Sequence, residues 1–191
     1  MNQLGPALVD SAANPSFVPD GFDPPRGQTT ADFLLEPLAP EHNAADHEAW
    51  TSSIPHIQAT PGFSGRDWPT AHMTLEENWA DLRQHADDFH ARTGFTFTVL
   101  EPKSRLIVGC VYFYPPSRAG FDVDVRSWVR ESHAELDTLL YEAVTKWLAA
   151  AWPWRCPDYA CRPVRPTLPG PPAGNLRRDQ GSLRAVTSTV S

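Results

Sequence analysis

With 191 residues, 41% of them hydrophobic, the chain is long enough for one domain with a substantial core and short for two. A formal net charge of -7 leaves no broad basic surface, which argues against a nucleic-acid backbone or an anionic membrane as partner and points to a small molecule or a protein. The three cysteines cannot all pair within one chain, no apolar run reaches the roughly 18 residues of a membrane span, and the chain start lacks the pattern of a secretory signal, so a cytoplasmic protein is expected.

Proline marks both ends of the expected folded part. "NPSFVPDGFDPPRG" precedes the first periodic segment and "RPVRPTLPGPPAGNLRRDQGSLRAVTSTVS" follows the last, which predicts disordered tails over 1–30 and 163–191 and one domain over 31–162. Within that domain "DFLLEPL" reads as a short strand, "PEHNAADHEAWTSSI" as a helix and "GFSGRDWPTAH" as a loop. A clearer helix opens at Thr74, whose hydroxyl can form a capping box with Glu77. Its expected buried stripe is Leu75, Trp79, Leu82, Ala86 and Phe89, and Gly94 is expected to supply a left-handed stop.

Phe95, Phe97 and Val99 alternate with threonines, "EPKSR" turns the chain, and "LIVGCVYFYPP" returns it as a strand that is apolar on both sides, so an antiparallel hairpin is expected. Gly109 in that second strand marks a bulge, a close backbone approach or a packing site. In the next strand Phe121, Val123, Val125, Ser127 and Val129 share one side, expected to be core. Asp122, Asp124, Arg126, Trp128 and Arg130 share the other, expected to be polar with one aromatic. Ser132 and Glu135 have the spacing of a second capping box, ahead of a helix whose apolar stripe runs Leu136, Leu139, Leu140, Ala143, Val144, Trp147, Leu148 and Ala151. The helix ends at Trp152-Pro153, and "PDYACR" follows as a short last strand.

This order of elements resembles the GNAT superfamily of acyl-CoA-dependent N-acetyltransferases. The pieces that carry the resemblance are "LIVGCVYFYP", similar to that family's third strand, and "VRSWVRESHAELDTLLYEAV", similar to its fourth strand entering the main helix. The resemblance implies a mixed α/β fold with a central, mostly antiparallel sheet of about five strands flanked by helices. It also implies transfer of an acetyl group from acetyl-CoA to a small-molecule or peptide amine.

Carried over residue by residue, Trp128, Val129 and Arg130 offer backbone to the pantetheine arm, and the segment that includes Ser132, His133, Ala134, Asp137 and Thr138 forms the phosphate loop. Helix starts accept anions because their N–H donors are unpaired and carry partial positive charge. Asp122 or Asp124 takes the proton-accepting role, and Tyr159 protonates the leaving thiolate.

The departures are as specific as the matches. The family's Arg/Gln-x-x-Gly-x-Gly/Ala loop falls on Ala134, Asp137 and Leu139, no glycine lies between Phe121 and Trp154, and Glu131, Glu135 and Asp137 bring carboxylates to a phosphate position. The family's last helix and two-strand hairpin have no counterpart in the proline-rich end. A second reading is therefore a non-catalytic module on the same fold, one that has lost coenzyme binding and holds a partner or a second copy of itself.

Other constellations point away from metal and redox chemistry. His42/His47 and His85/His90 are five apart, about 140° around a helix, and Cys156 and Cys161 lack a second pair, so no metal site is expected. Cys110 reads as a small buried hydrophobe. Of the seven tryptophans, Trp79 and Trp147 fall on core stripes, leaving Trp50, Trp68, Trp128, Trp152 and Trp154 for a pocket or an interface.

Overall fold

The computed structural model describes residues 17–162. The last tail, 163–191, and the first sixteen residues of the N-terminal one lie outside them. The elements are β1 (Gln28–Thr29), β2 (Leu34–Pro37), α1 (Asn43–Thr51), α2 (Ile54–Ala59), α3 (Leu75–Ala91), β3 (Phe95–Leu100), β4 (Ile107–Tyr114), β5 (Val123–Val129), α4 (Asp137–Ala151) and β6 (Pro157–Tyr159). One sheet runs in the order β1-β2-β3-β4-β5-β6. Every neighbouring pair is antiparallel except β5 with β6, which is parallel. The mixed α/β class and mostly antiparallel sheet follow expectation. The described residues hold six strands where about five are expected, the additional one being β1, within the stretch expected to be a tail, where Val18 is also fully buried.

Both sheet faces are covered. On one side α4 contributes Leu140, Val144, Trp147 and Leu148 to a core with Phe95, Phe97, Val111, Phe113, Val123 and Val125. On the other, α1 to α3 bring Trp50, Ile57 and Leu82 against Leu100, Ile107, Cys110 and Trp128. That second layer changes the reading of β5. Trp128 is fully buried and Arg130 nearly so, thus the side expected to be polar is packed as well. Of the tryptophans assigned to a pocket or interface, Trp50, Trp128, Trp152 and Trp154 are core residues. Trp79, expected in the core, is 42% exposed with the Arg83 guanidinium 5.1 Å over its ring.

Local chemistry sets several element ends. The expected single helix over "PEHNAADHEAWTSSI" breaks in two because Pro55 has no N–H to continue α1 and is tolerated only in the first turn of α2. The Thr74 capping box forms as expected: Thr74 Oγ1 accepts from the Glu77 N–H at 3.2 Å and Glu77 Oε2 from the Thr74 N–H at 2.7 Å. Thr74→Ala is expected to lower the unfolding free energy by about 1 kcal/mol in a urea titration.

The left-handed stop of α3 is Arg92 (φ 63°), not Gly94, whose added Cβ would lie 3.0 Å from the Tyr114 ring. The buried positions of α3 are Asn78, Leu82 and Phe89, while Leu75 is 47% exposed. The Ser132–Glu135 capping box does not form. Residues Glu131–Leu136 make a 3-10 turn interrupted at His133 (φ -130°, ψ 27°), so α4 starts only at Asp137, and Leu139 on its expected stripe is 43% exposed.

Candidate functional site

Two neighbouring places bear on ligand binding: the gap where β5 and β6 part, and a pocket on the sheet face under α3. They meet on β5, where Ser127 lies in the first and Arg126 lines the second.

β5 and β6 pair at only three registers, Val123↔Pro157, Asp124↔Asp158 and Val125↔Tyr159. Beyond Tyr159 the edge of β5 continues to Val129 with no strand beside it among the described residues. The gap is filled by Arg162, whose side chain is 1% exposed. Its Nη2 donates to the Ser127 carbonyl at 2.8 Å and to Ser127 Oγ at 3.0 Å. Nη1 donates to the carbonyls of Pro61 at 3.2 Å and Ala160 at 3.0 Å. Nε donates to Asp137 Oδ2 at 2.7 Å. A guanidinium has five N–H donors, and each has an acceptor here. The rings of Tyr141 and Tyr159 lie 5.7 and 5.6 Å from its carbon, in cation–π range.

Several side chains of the residues assigned to the coenzyme are engaged within the protein. The Trp128 side chain turns into the α1 to α3 layer and donates from Nε1 to Tyr112 Oη at 3.1 Å. Val129 is core beneath α4. Arg130 gives its backbone N–H to the Val108 carbonyl at 2.8 Å and its guanidinium to Glu48 and Ser52 of the α1 region. Ser132 Oγ and His133 Nδ1 bond each other at 2.9 Å. Ala134 is exposed and its carbonyl accepts the Asp137 N–H; Thr138 is in the first turn of α4.

Asp137 brings a carboxylate to the helix start, where a diphosphate would have to rest. An acyl coenzyme does not fit these residues as they stand: Arg162 fills the gap, holds the Ser127 carbonyl and pairs with the acid at the helix start.

The three catalytic candidates are likewise engaged. Asp122 Oδ2 accepts from the backbone N–H groups of Cys156 at 2.8 Å and Arg155 at 2.7 Å. Those donors hold its carboxyl below the usual range and make it a brace for the approach to β6. Asp124 is buried and paired in two bonds with Arg126, at 3.1 and 2.6 Å. Tyr159 Oη lies 2.6 Å from Ser127 Oγ, and burial pushes its phenol upward, so it keeps its proton at neutral pH.

The pocket is a cavity of about 170 Å³ lined by Phe63, Trp68, Asp81, His85, Tyr112 and Tyr114, and also by Arg66 and Arg126. Its polar centre is His85. Nδ1 lies 3.0 Å from both Thr96 Oγ1 and Tyr114 Oη, and Nε2 lies 3.4 Å from Asp81 Oδ2. Burial pushes Tyr114 up to about 12 and Tyr112 well above its ordinary value, so both phenols remain hydrogen-bond donors.

Arg126 is neutralised by Asp124, whereas Asp81 is 46% exposed on its side chain. Sequence reasoning missed this group. Its signals were the Asp81/His85 spacing of four on α3 and the Tyr112/Tyr114 spacing of two on β4. Among the described residues no cluster of three or more His, Cys, Asp or Glu is arranged for a metal ion, and no helix is long and apolar enough to cross a membrane.

Behind the pocket, Asp46 is 4% exposed and accepts from Asn78 Nδ2 at 3.2 Å. Burial raises its carboxyl from 3.8 to about 6. Between those values the folded chain keeps a proton that the unfolded chain has released, so the contribution of Asp46 to stability falls as pH rises through that window and does not change further above it. Asp46→Asn removes this dependence. Relative to the unaltered protein it is expected to gain about 2–3 kcal/mol at pH 7 and little at pH 4, read from urea unfolding at both pH values.

No family model matches the sequence, and no curated protein matches it. Among solved structures, the ribosomal-protein-S5-alanine acetyltransferase from Vibrio fischeri superposes with a TM-score of 0.50 at 16% identity, over 64% of this chain and 66% of its own. A putative ribosomal-protein-serine acetyltransferase from Vibrio cholerae superposes with a TM-score of 0.51 at 12% identity, over 65% of this chain and 67% of its own. The match thus spans about two thirds of each of those proteins. The likeness establishes the fold alone: this chain shares the α/β fold of those two acetyltransferases.

Proposed function

We propose that the protein is a binding module on a GNAT fold that holds a small amine in the pocket between α3 and β4 without acetylating it. The observation that carries the reading is the pocket's composition. Aromatic walls from Phe63, Trp68, Tyr112 and Tyr114 enclose a space beside the Asp81 carboxylate, and a cation is attracted both to ring faces and to the acid. The Arg126 charge is already met by Asp124. The engaged state of the β5/β6 gap supports the absence of transfer.

Calorimetric titration with benzylamine, and with benzyl alcohol as the uncharged control, tests this. Benzylamine is expected to bind at least about tenfold more tightly than the alcohol, with Asp81→Asn abolishing the difference, since a tenfold ratio corresponds to about 1.4 kcal/mol. Equal affinity for both compounds, or no heat with either, overturns it.

A second reading, an acetyltransferase that takes acetyl-CoA as donor, is favoured by one specific observation: parallel β5 and β6 part beside the start of α4, next to a phenol that keeps its proton. Appearance of N-acetylbenzylamine when the unaltered protein is incubated with acetyl-CoA and benzylamine decides for this reading.

A further inference from the structure

We infer that Arg162 and Asp137 form a built-in occupant of the β5/β6 gap, and that these two side chains, rather than the shape of the fold, keep an acyl coenzyme out. Three observations carry it, none of which depends on the amine reading. The guanidinium is almost fully buried and joins four segments at the point where the strands part: β5 through Ser127, the chain after β6 through Ala160, the α2–α3 connection through Pro61, and α4 through Asp137.

All five of its N–H donors are used, so Arg162 meets the polar groups that would otherwise line an open gap. Asp137 Oδ2 sits on Arg162 while its Oδ1, although buried, has no hydrogen-bond partner among the described residues. A carboxylate in the first turn of a helix puts negative charge where an incoming anion would otherwise be attracted, and so repels it.

Arg162 thus stands where a linear polar ligand would run along β5, and Asp137 stands where that ligand's anionic end would meet α4. The pair balances its own charge, which explains how a chain with Glu131, Glu135 and Asp137 around a helix start keeps one of those acids half-buried. Removing both members leaves an uncharged gap edged by the Ser127 and Ala160 carbonyls and opens the first turn of α4 to an anion. The ligand class is a nucleotide diphosphate carrying an extended amide-bearing arm, the chemistry of coenzyme A.

The experiment titrates coenzyme A into the unaltered protein and into the double variant Arg162→Ala/Asp137→Ser by calorimetry, with thermal unfolding run on both to fix the folded fraction. The single variant Asp137→Asn serves as the milder second test, since it keeps the side-chain volume and removes only the charge. The expected result is at least a tenfold gain in coenzyme affinity for the double variant, with a smaller gain in the same direction for Asp137→Asn.

Equal or weaker binding by both variants overturns the inference, whether or not the unaltered protein binds. A double variant that fails to fold leaves Asp137→Asn to decide, and no gain there overturns it equally. The amine reading fails separately, through the benzylamine titration.

Discussion

Gly109→Val is expected to abolish the folded state at 25 °C, and Gly109→Ala to cost about 3 kcal/mol or more, measured by urea unfolding. The position lies in the middle of the sheet, opposite Val99 on one side and Val129 on the other. A Cβ placed there would come within 2.2 Å of the Trp128 carbonyl oxygen and 3.2 Å of its carbon. Those are backbone atoms of β5, so no side chain can rotate away to make room. Either β5 moves outward or the ladder breaks.

Outward movement is resisted by what β5 carries. Trp128 and Val129 are fully buried in opposite layers, and the Arg130 N–H is bonded to the Val108 carbonyl at 2.8 Å. A shift of an ångström therefore disturbs both cores at once. A near-normal melting temperature for Gly109→Ala would show that the close approach relaxes easily.

Asp137→Ala is expected to destabilise the chain by about 3 kcal/mol, and Arg162→Met by clearly less, with the two changes together costing no more than the single Asp137→Ala. The asymmetry comes from burial. Removing the acid strands a guanidinium that is 1% exposed, and an uncompensated buried charge costs about 3–5 kcal/mol. The acceptors on Ser127, Pro61 and Ala160 remain and hold the cost near the lower end of that range. Removing the arginine instead leaves a carboxylate that is 21% exposed and can be hydrated. A double-mutant cycle by urea unfolding measures the coupling directly, and additive losses would mean that the two side chains do not act as a pair.

The elements that could be read from the sequence are those whose signal is local. The alternation of Phe95, Phe97 and Val99, the spacing along α4 and the Thr74–Glu77 box each lie within a few residues, and each formed. Ser132 and Glu135 show the limit of such signals. The spacing is right, but the box needs helical backbone between its ends, and His133 leaves the helical region. β1 is two residues long and exists through its pairing with Leu34 and Leu35, which no local pattern announces.

The candidate site was less legible for the same reason. Asp122 and Asp124 do lie on one strand two residues apart, yet the first is taken by N–H groups more than thirty positions away and the second by Arg126. Arg162 was read only as the end of the domain. Its partners are Ala160, Asp137, Ser127 and Pro61, separated from it by 2, 25, 35 and 101 positions. Among the histidines of the sequence the pocket's His85 pairs by spacing only with His90, whereas the residues around its ring nitrogens are Asp81, Thr96 and Tyr114.

The outermost strands have a consequence for self-association. Among the described residues the sheet ends in a two-residue strand at one border and a three-residue strand at the other. A foreign strand that added itself to either border would find two or three rungs to grip, and the part of the β5 edge beyond β6 is already taken by the Arg162 guanidinium. Such borders are poor seeds for cross-β fibrils and for strand-swapped copies.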